Sequence, residues 1–227
     1  MKKRVFYTEA AYLIGEAAIA LATAMMASAG FGVSMVVAPA DLVHLKLSQT
    51  LPWFTFGCAE LALQVVLVAA TMLFLGRFRL SLLFSFATAF LYSAMLDGFS
   101  ALIALLPAPG LAGRLLVYGG GIVICSFGVS CMFHTYISPA AYEMFVKEVS
   151  GRFGRDLNRF KLGYDLASCA AAIATSFAFF GFGKFEGVKV GTVLCAFVNG
   201  PLIALFSRLL ESRFEFRDRL KLRSRFE

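Results

Sequence analysis

The sequence predicts an all-α membrane protein: six transmembrane helices as two inverted three-helix repeats, each with a short additional helix. Three observations lead there. First, 59% of the 227 residues are hydrophobic and the mean hydropathy is +0.79. Soluble domains are about 45–50% apolar. Second, the charges fall in short runs between apolar stretches, and a bilayer needs roughly 20 apolar residues per helix. Third, two distant segments read alike. Gly57-Cys-Ala-Glu60 opens one and Gly163-Tyr-Asp165 the other. Both then run apolar and close on Gly76-Arg77-Phe78 or Gly183-Lys184-Phe185.

The spans are expected near residues 10–32, 53–75, 80–106, 114–137, 161–182 and 188–208. Lys2-Lys3-Arg4 precedes the first, and Ala27-Ser28-Ala29 resembles a leader-cleavage site. Glu9 and Glu16 interrupt that run, and it continues to Ala38, so it is read as an uncleaved first helix. The third span is long, with Asp97-Gly98 as its expected break. Pro39–Lys46 and Pro139–Glu148 are too short and polar to cross. Each carries proline where a first helical turn accepts it.

The chain is thus one membrane domain, residues 1–227. Repeat one covers about 8–106, repeat two about 114–208, and a basic cytoplasmic tail 209–227. Three spans per repeat is an odd number, so the halves must lie upside down relative to each other, a recurrent plan of membrane transporters. Seventeen of the 21 Lys and Arg fall on one side, leaving Lys46, Arg114, Lys184 and Lys189 on the other. The richer side is cytoplasmic, with both termini there. These bases punctuate apolar runs and share no polar face, so the net charge of +7 does not indicate nucleic acid.

The polar residues within or just inside the spans are Glu16, Glu60, Gln64, Asp97, His134, Asp165 and Asn199. An ionised side chain at a helix centre costs about 2.5–3.5 kcal/mol, so such residues face protein or water. Glu60 and Gln64 are four apart and share a helix face. Glu16 is flanked by Gly15, Ala17 and Ala18, which allow close approach. Asn199-Gly200-Pro201 is expected to break or bend its helix and free backbone carbonyls. The candidate substrate or ion path is therefore Glu16, Glu60, Gln64, Asp97, Asn199, Gly200 and Pro201. Asp165 is read as a solvated helix-end acid and His134 as a satisfied interfacial histidine. The excess of acids over bases in the spans favours a proton, a cation or an ammonium-bearing solute.

Five cysteines lie in apolar runs without CxxC or Cys/His spacing, so no disulfide, metal or cofactor is expected. With only His44 and His134, no catalytic constellation is legible and an enzyme is not expected. Small residues recur at spacing four in Ala20, Ala24, Ser28 and in Ser168, Ala172, Ser176, which suits close helix packing and a homodimer. Between Arg213 and Phe226 apolar residues alternate; this basic tail is expected on the anionic inner leaflet. The function expected is a small secondary transporter or exporter of a small solute, with a proton as candidate coupling ion at Glu16. The alternative is a non-transporting membrane partner, either a substrate-capture subunit or a regulator.

The last span reads Glu186-Gly-Val-Lys-Val-Gly-Thr192-Val-Leu-Cys-Ala-Phe-Val-Asn199-Gly-Pro-Leu-Ile203. It resembles the G(I/V)xxGTxxxAxxxGPxI segment of the YczE/YyaS/YitT group of bacterial integral membrane proteins. Gly163-Tyr-Asp165 and Gly30-Phe-Gly-Val-Ser34 are similar to that group as well. A chain ending at Glu227 fits the short, YczE-like type without the C-terminal soluble domain. The resemblance implies six spans in the bacterial inner membrane and assigns no activity to any residue.

Overall fold

The computed structural model describes residues 4–76, 80–107, 109–137, 140–155 and 157–220. Eight helices follow in order: α1 (Thr8–Ala29), α2 (Ala38–Leu47), α3 (Phe56–Leu75), α4 (Leu80–Ala104), α5 (Leu111–Met132), α6 (Ala141–Arg152), α7 (Leu157–Phe180) and α8 (Val190–Arg213). Two short strands, β1 (Arg4–Tyr7) and β2 (Phe214–Arg217), flank the set. Six helices, α1, α3, α4, α5, α7 and α8, are long and apolar enough to cross a membrane. The short α2 and α6 fall where proline-led segments are expected. Pro139, the end match Arg77-Phe78 and the bases Lys2, Lys3, Lys221, Arg223 and Arg225 lie outside the described residues.

Helix α1 is the centre of the bundle. It packs along α5 over its length and along α4 on another side. The pair α1 and α5 is antiparallel. Gly15 meets Gly128, Ala22 meets Gly121, and the Arg114 Nε donates to Ala29 O at 2.8 Å. A Cβ on Gly15 would stand 2.9 Å from Gly128 O, and one on Gly128 would stand 2.9 Å from Gly15 O. Glycine at both positions lets the backbones touch, which is how helices associate where lipid offers no hydrophobic drive. Outside this pair, α8 packs on α5 and α3 packs on α4.

The two short helices reach across the bundle: α6 packs on α3, and α2 on α7 as well as α3. Each ends on a basic side chain that caps a long helix. The Lys46 Nζ donates to Phe179 O at 3.2 Å, at the end of α7, and an Arg152 guanidinium nitrogen donates to Leu75 O at 2.7 Å, at the end of α3. The last carbonyls of a helix lack partners within it, and a cation there also meets the negative end of the helix dipole.

Three expectations are corrected. Helix α4 runs unbroken through Asp97-Gly98. Gly98 has open space around it, so nothing pushes the turn apart, and the Asp97 carboxylate is engaged on α3. Helix α8 likewise continues through Asn199-Gly200-Pro201; Pro201 sits inside a helix of 24 residues. The missing N–H removes one hydrogen bond, and the surrounding turns hold. The alternating tail is a strand in part: β2 pairs parallel with β1, Arg4 opposite Phe214. Phe214 and Phe216 pack on Phe6, with ring centroids 5.4 and 5.6 Å away. Glu9 then binds the tail by accepting from the backbone N–H of Arg219 and Leu220, at 3.1 and 2.8 Å.

Candidate functional site

The polar interior centres on α3. Glu60 and Gln64 are both 0% exposed. Their spacing of four places them on the face turned to α6, and Gln64 Nε2 lies 3.5 Å from Glu60 Oε2. The Tyr142 hydroxyl of α6 donates to the same Glu60 oxygen. Gln64 Oε1 accepts from the backbone N–H of Ala141, the first residue of α6, at 3.4 Å. Gln64 is the ninth of the twenty residues of α3. The start of α6 therefore sits at the mid-level of α3, and its first turn is satisfied by side chains of α3.

Glu60 Oε1 has no hydrogen-bond partner among the described residues. No lysine or arginine pairs with Glu60 among the described residues. A buried carboxylate with neither a cation nor full hydrogen bonding is costly by several kcal/mol. Next to it, the Tyr92 hydroxyl of α4 donates to Thr23 Oγ1 of α1 at 3.0 Å. Tyr92 lies within electrostatic reach of both Glu60 and Glu16. Glu16 is itself buried on α1, one turn after Tyr12, whose hydroxyl shares a hydrogen bond with Thr88 at 2.8 Å.

The structure therefore brings Glu60 and Gln64 together and sets Tyr92 within reach of both Glu60 and Glu16. Asp97 has a different surrounding. Its Oδ1 accepts from Gly57 N at 2.7 Å and its Oδ2 from the Thr55 hydroxyl at 2.6 Å, so it holds the start of α3. Asn199 belongs to the α5–α8 contact, where Ser126 Oγ donates to Asn199 Oδ1 at 3.0 Å. Gly200 and Pro201 are exposed on α8, away from the acids. Asp165 is not at a helix end: α7 begins at Leu157, and Asp165 Oδ1 is buried with no hydrogen-bond partner among the described residues. His134 lies 3.1 Å from a Glu211 oxygen and stacks on Phe216 at 4.3 Å.

Sequence reasoning missed Tyr142, Tyr92, Thr23 and Asp41. Tyr142 had one faint signal, a hydroxyl-bearing aromatic in the first turn of a proline-led short helix. Asp41, on α2, is 7% exposed. Burial pushes its carboxyl up to about 6, with Lys189 opposing that and Glu186 adding to it. A raised folded value means stability is greatest below the unfolded value and is lost as pH rises toward about 6. The rise from an ordinary aspartate to about 6 corresponds to about 3 kcal/mol. Asp41→Asn is thus expected to flatten the decline of melting temperature between about pH 4 and 6.5 in detergent. An unaltered pH profile would refute the assignment.

Two of the cavities among the described residues are the best formed. One of about 610 Å³ is lined by Phe153, Gly154, Arg155, Arg159 and Phe160. The other, about 210 Å³, is lined by Tyr12, Phe84, Ala87, Thr88, Tyr136, Ile137 and Leu220. Neither lining includes Glu60 or Glu16.

Six membrane-length helices around a buried polar centre define a multi-pass membrane protein. The chain belongs to DUF6198, a family of unknown function, whose model matches residues 6–208. No curated protein and no solved structure matches the chain.

Proposed function

We propose that this protein is a small secondary transporter of the inner membrane, built from two inverted halves, α1–α4 and α5–α8. The carrying observation is reciprocity. Gly15 meets Gly128 and Ala22 meets Gly121; Gly15 and Gly121 are 106 residues apart, and so are Ala22 and Gly128. Lys46 and Arg152 are also 106 apart, and each caps the other half's third element. A duplicated, antiparallel pair of modules makes each of these contacts twice. Such modules rock against each other around a mid-depth site in alternating access. The distribution of Lys and Arg supports a cytoplasmic position for both termini. The likeness of the last span to the YczE/YyaS/YitT group agrees with a bacterial inner membrane.

Purified chain in liposomes is expected to dissipate an imposed pH gradient, or to take up a solute found in a thermal-shift screen. A ligand at about 100 times its Kd raises stability by about 2.7 kcal/mol, which such a screen detects. Liposomes that do neither, loaded with protein that melts cooperatively, overturn the reading.

One asymmetry favours a second reading. Helix α3 packs closely on α4, whereas the corresponding α7 and α8 form no comparable contact among the described residues. Helix α7 thus leaves much of its surface open to a second copy or another membrane subunit. A stoichiometric partner co-purified from native membranes, with no flux from the chain alone, would select this reading.

A further inference from the structure

We infer that Glu60 is a proton-carrying acid and that α6 controls access to it. This rests on the transport reading above and names its coupling ion and gate. Among the described residues, every hydrogen bond that Glu60 Oε2 and Gln64 Oε1 make beyond α3 comes from the first two residues of α6, namely the Tyr142 hydroxyl and the Ala141 N–H. Glu60 Oε1 has none. The residue is wholly buried, and neither cavity reaches it. A carboxyl in that position needs positive charge or a proton, and a proton is the cation that needs no added volume.

The ionisable groups around it leave that conclusion in place. From α4 come Tyr92, which donates to Thr23, and Asp97, which is occupied by Thr55 and Gly57. From α2 come Asp41, an acid, and His44, whose Nδ1 lies 3.0 Å from Phe54 O and whose ring stacks on Phe56. From α6 come Tyr142 and, at the far end, Arg152, held on Leu75 O. From α1 comes Glu16, another acid within reach of Tyr92. No cation in this set neutralises Glu60.

The step balances simply. A hydronium ion on one side gives its proton to Oε1 and leaves as water. On the other side a water takes the proton from the carboxyl. Tyr142 keeps its own hydrogen and releases Oε2 when the first turn of α6 moves away. Arg152 on Leu75 O holds the other end of that helix in place, so α6 swings from its N-terminal turn.

The test is infrared spectroscopy of the purified chain in lipid at neutral pH, with exchange into D₂O. Wild type should show a protonated-carboxyl C=O band that Glu60→Gln removes. Tyr142→Phe should keep the band and move it to higher frequency, since the carbonyl loses the Tyr142 donor and keeps only the longer Gln64 bond. Arg152→Gln should speed the deuterium shift of that band severalfold by freeing α6. Absence of any band assignable to Glu60, in protein that melts cooperatively, overturns the proton. A band whose exchange ignores Arg152→Gln overturns the gate. The band with no flux in liposomes would sink transport and leave the proton site standing. Flux without the band would do the reverse.

Discussion

Gly128→Leu is expected to abolish folded protein. A single Cβ at Gly128 already stands 2.8 Å from Ile19 Cγ1, 2.9 Å from Gly15 O and 3.0 Å from Ala18 Cβ. Two of these are on rigid helix surface, so the helices must separate. Overpacking typically costs about 1–3 kcal/mol, and a larger side chain adds to it. Total stability of a domain is about 5–15 kcal/mol. The α1–α5 contact is also the most extensive join between the halves, so its loss removes the largest part of what holds them together. Gly128→Ala should lower the melting temperature and Gly128→Leu should leave no cooperative transition. Gly119→Ala, on the same helix with open space around it, should change little. A Gly128→Leu protein that melts like wild type would show that the two helices are not in contact.

Gly57→Ala is expected to cost both stability and any flux. A Cβ there would collide with the backbone carbonyl of Ser93 and stand 2.5 Å from Asp97 Oδ2. It would push α3 off α4 one turn before Glu60 and break the carboxylate cap on the start of α3. An N-cap alone is worth about 0.5–2 kcal/mol, before the clash is counted. Gly98→Ala is the matched control. It lies next to Asp97 on the same helix, with nothing within 4 Å, and should gain about 0.5–1 kcal/mol from helix propensity. Equal melting temperatures for the two variants would rule out the close α3–α4 approach.

These two glycines show why a sequence gives up its helices more readily than its contacts. Six apolar runs with polar ends had only one solution in a bilayer, because backbone groups in lipid must pair within their own helix. The same rule kept α4 and α8 whole where Gly98 and Pro201 suggested breaks. Local breakers act through the backbone of one turn, while the membrane penalises every unpaired group around them. The tail misled for a related reason. Alternation in Phe214-Glu-Phe-Arg217 is strand periodicity, yet a strand needs a partner, and that partner is Arg4–Tyr7, at the opposite end of the chain.

Glu60 and Gln64 were legible because an acid and an amide four apart in an apolar helix have few innocent explanations. Glu16 was legible on the same ground. What the acids touch was not. Tyr142 lies 82 residues from Glu60, and nothing local to either announces the other. For Asp97, read as a path residue, the sequence did not show that its two oxygens bind Thr55 and Gly57.

By itself the sequence determined that this is a six-helix membrane protein with acids buried in its first half, since hydropathy and charge are additive properties of single residues. Only the tertiary structure decided which acid stands unpaired, which one serves as a helix cap and which short helix closes over the interior. Those depend on where separate helices meet, and helix contacts are set by shape and hydrogen-bond geometry across many residues at once.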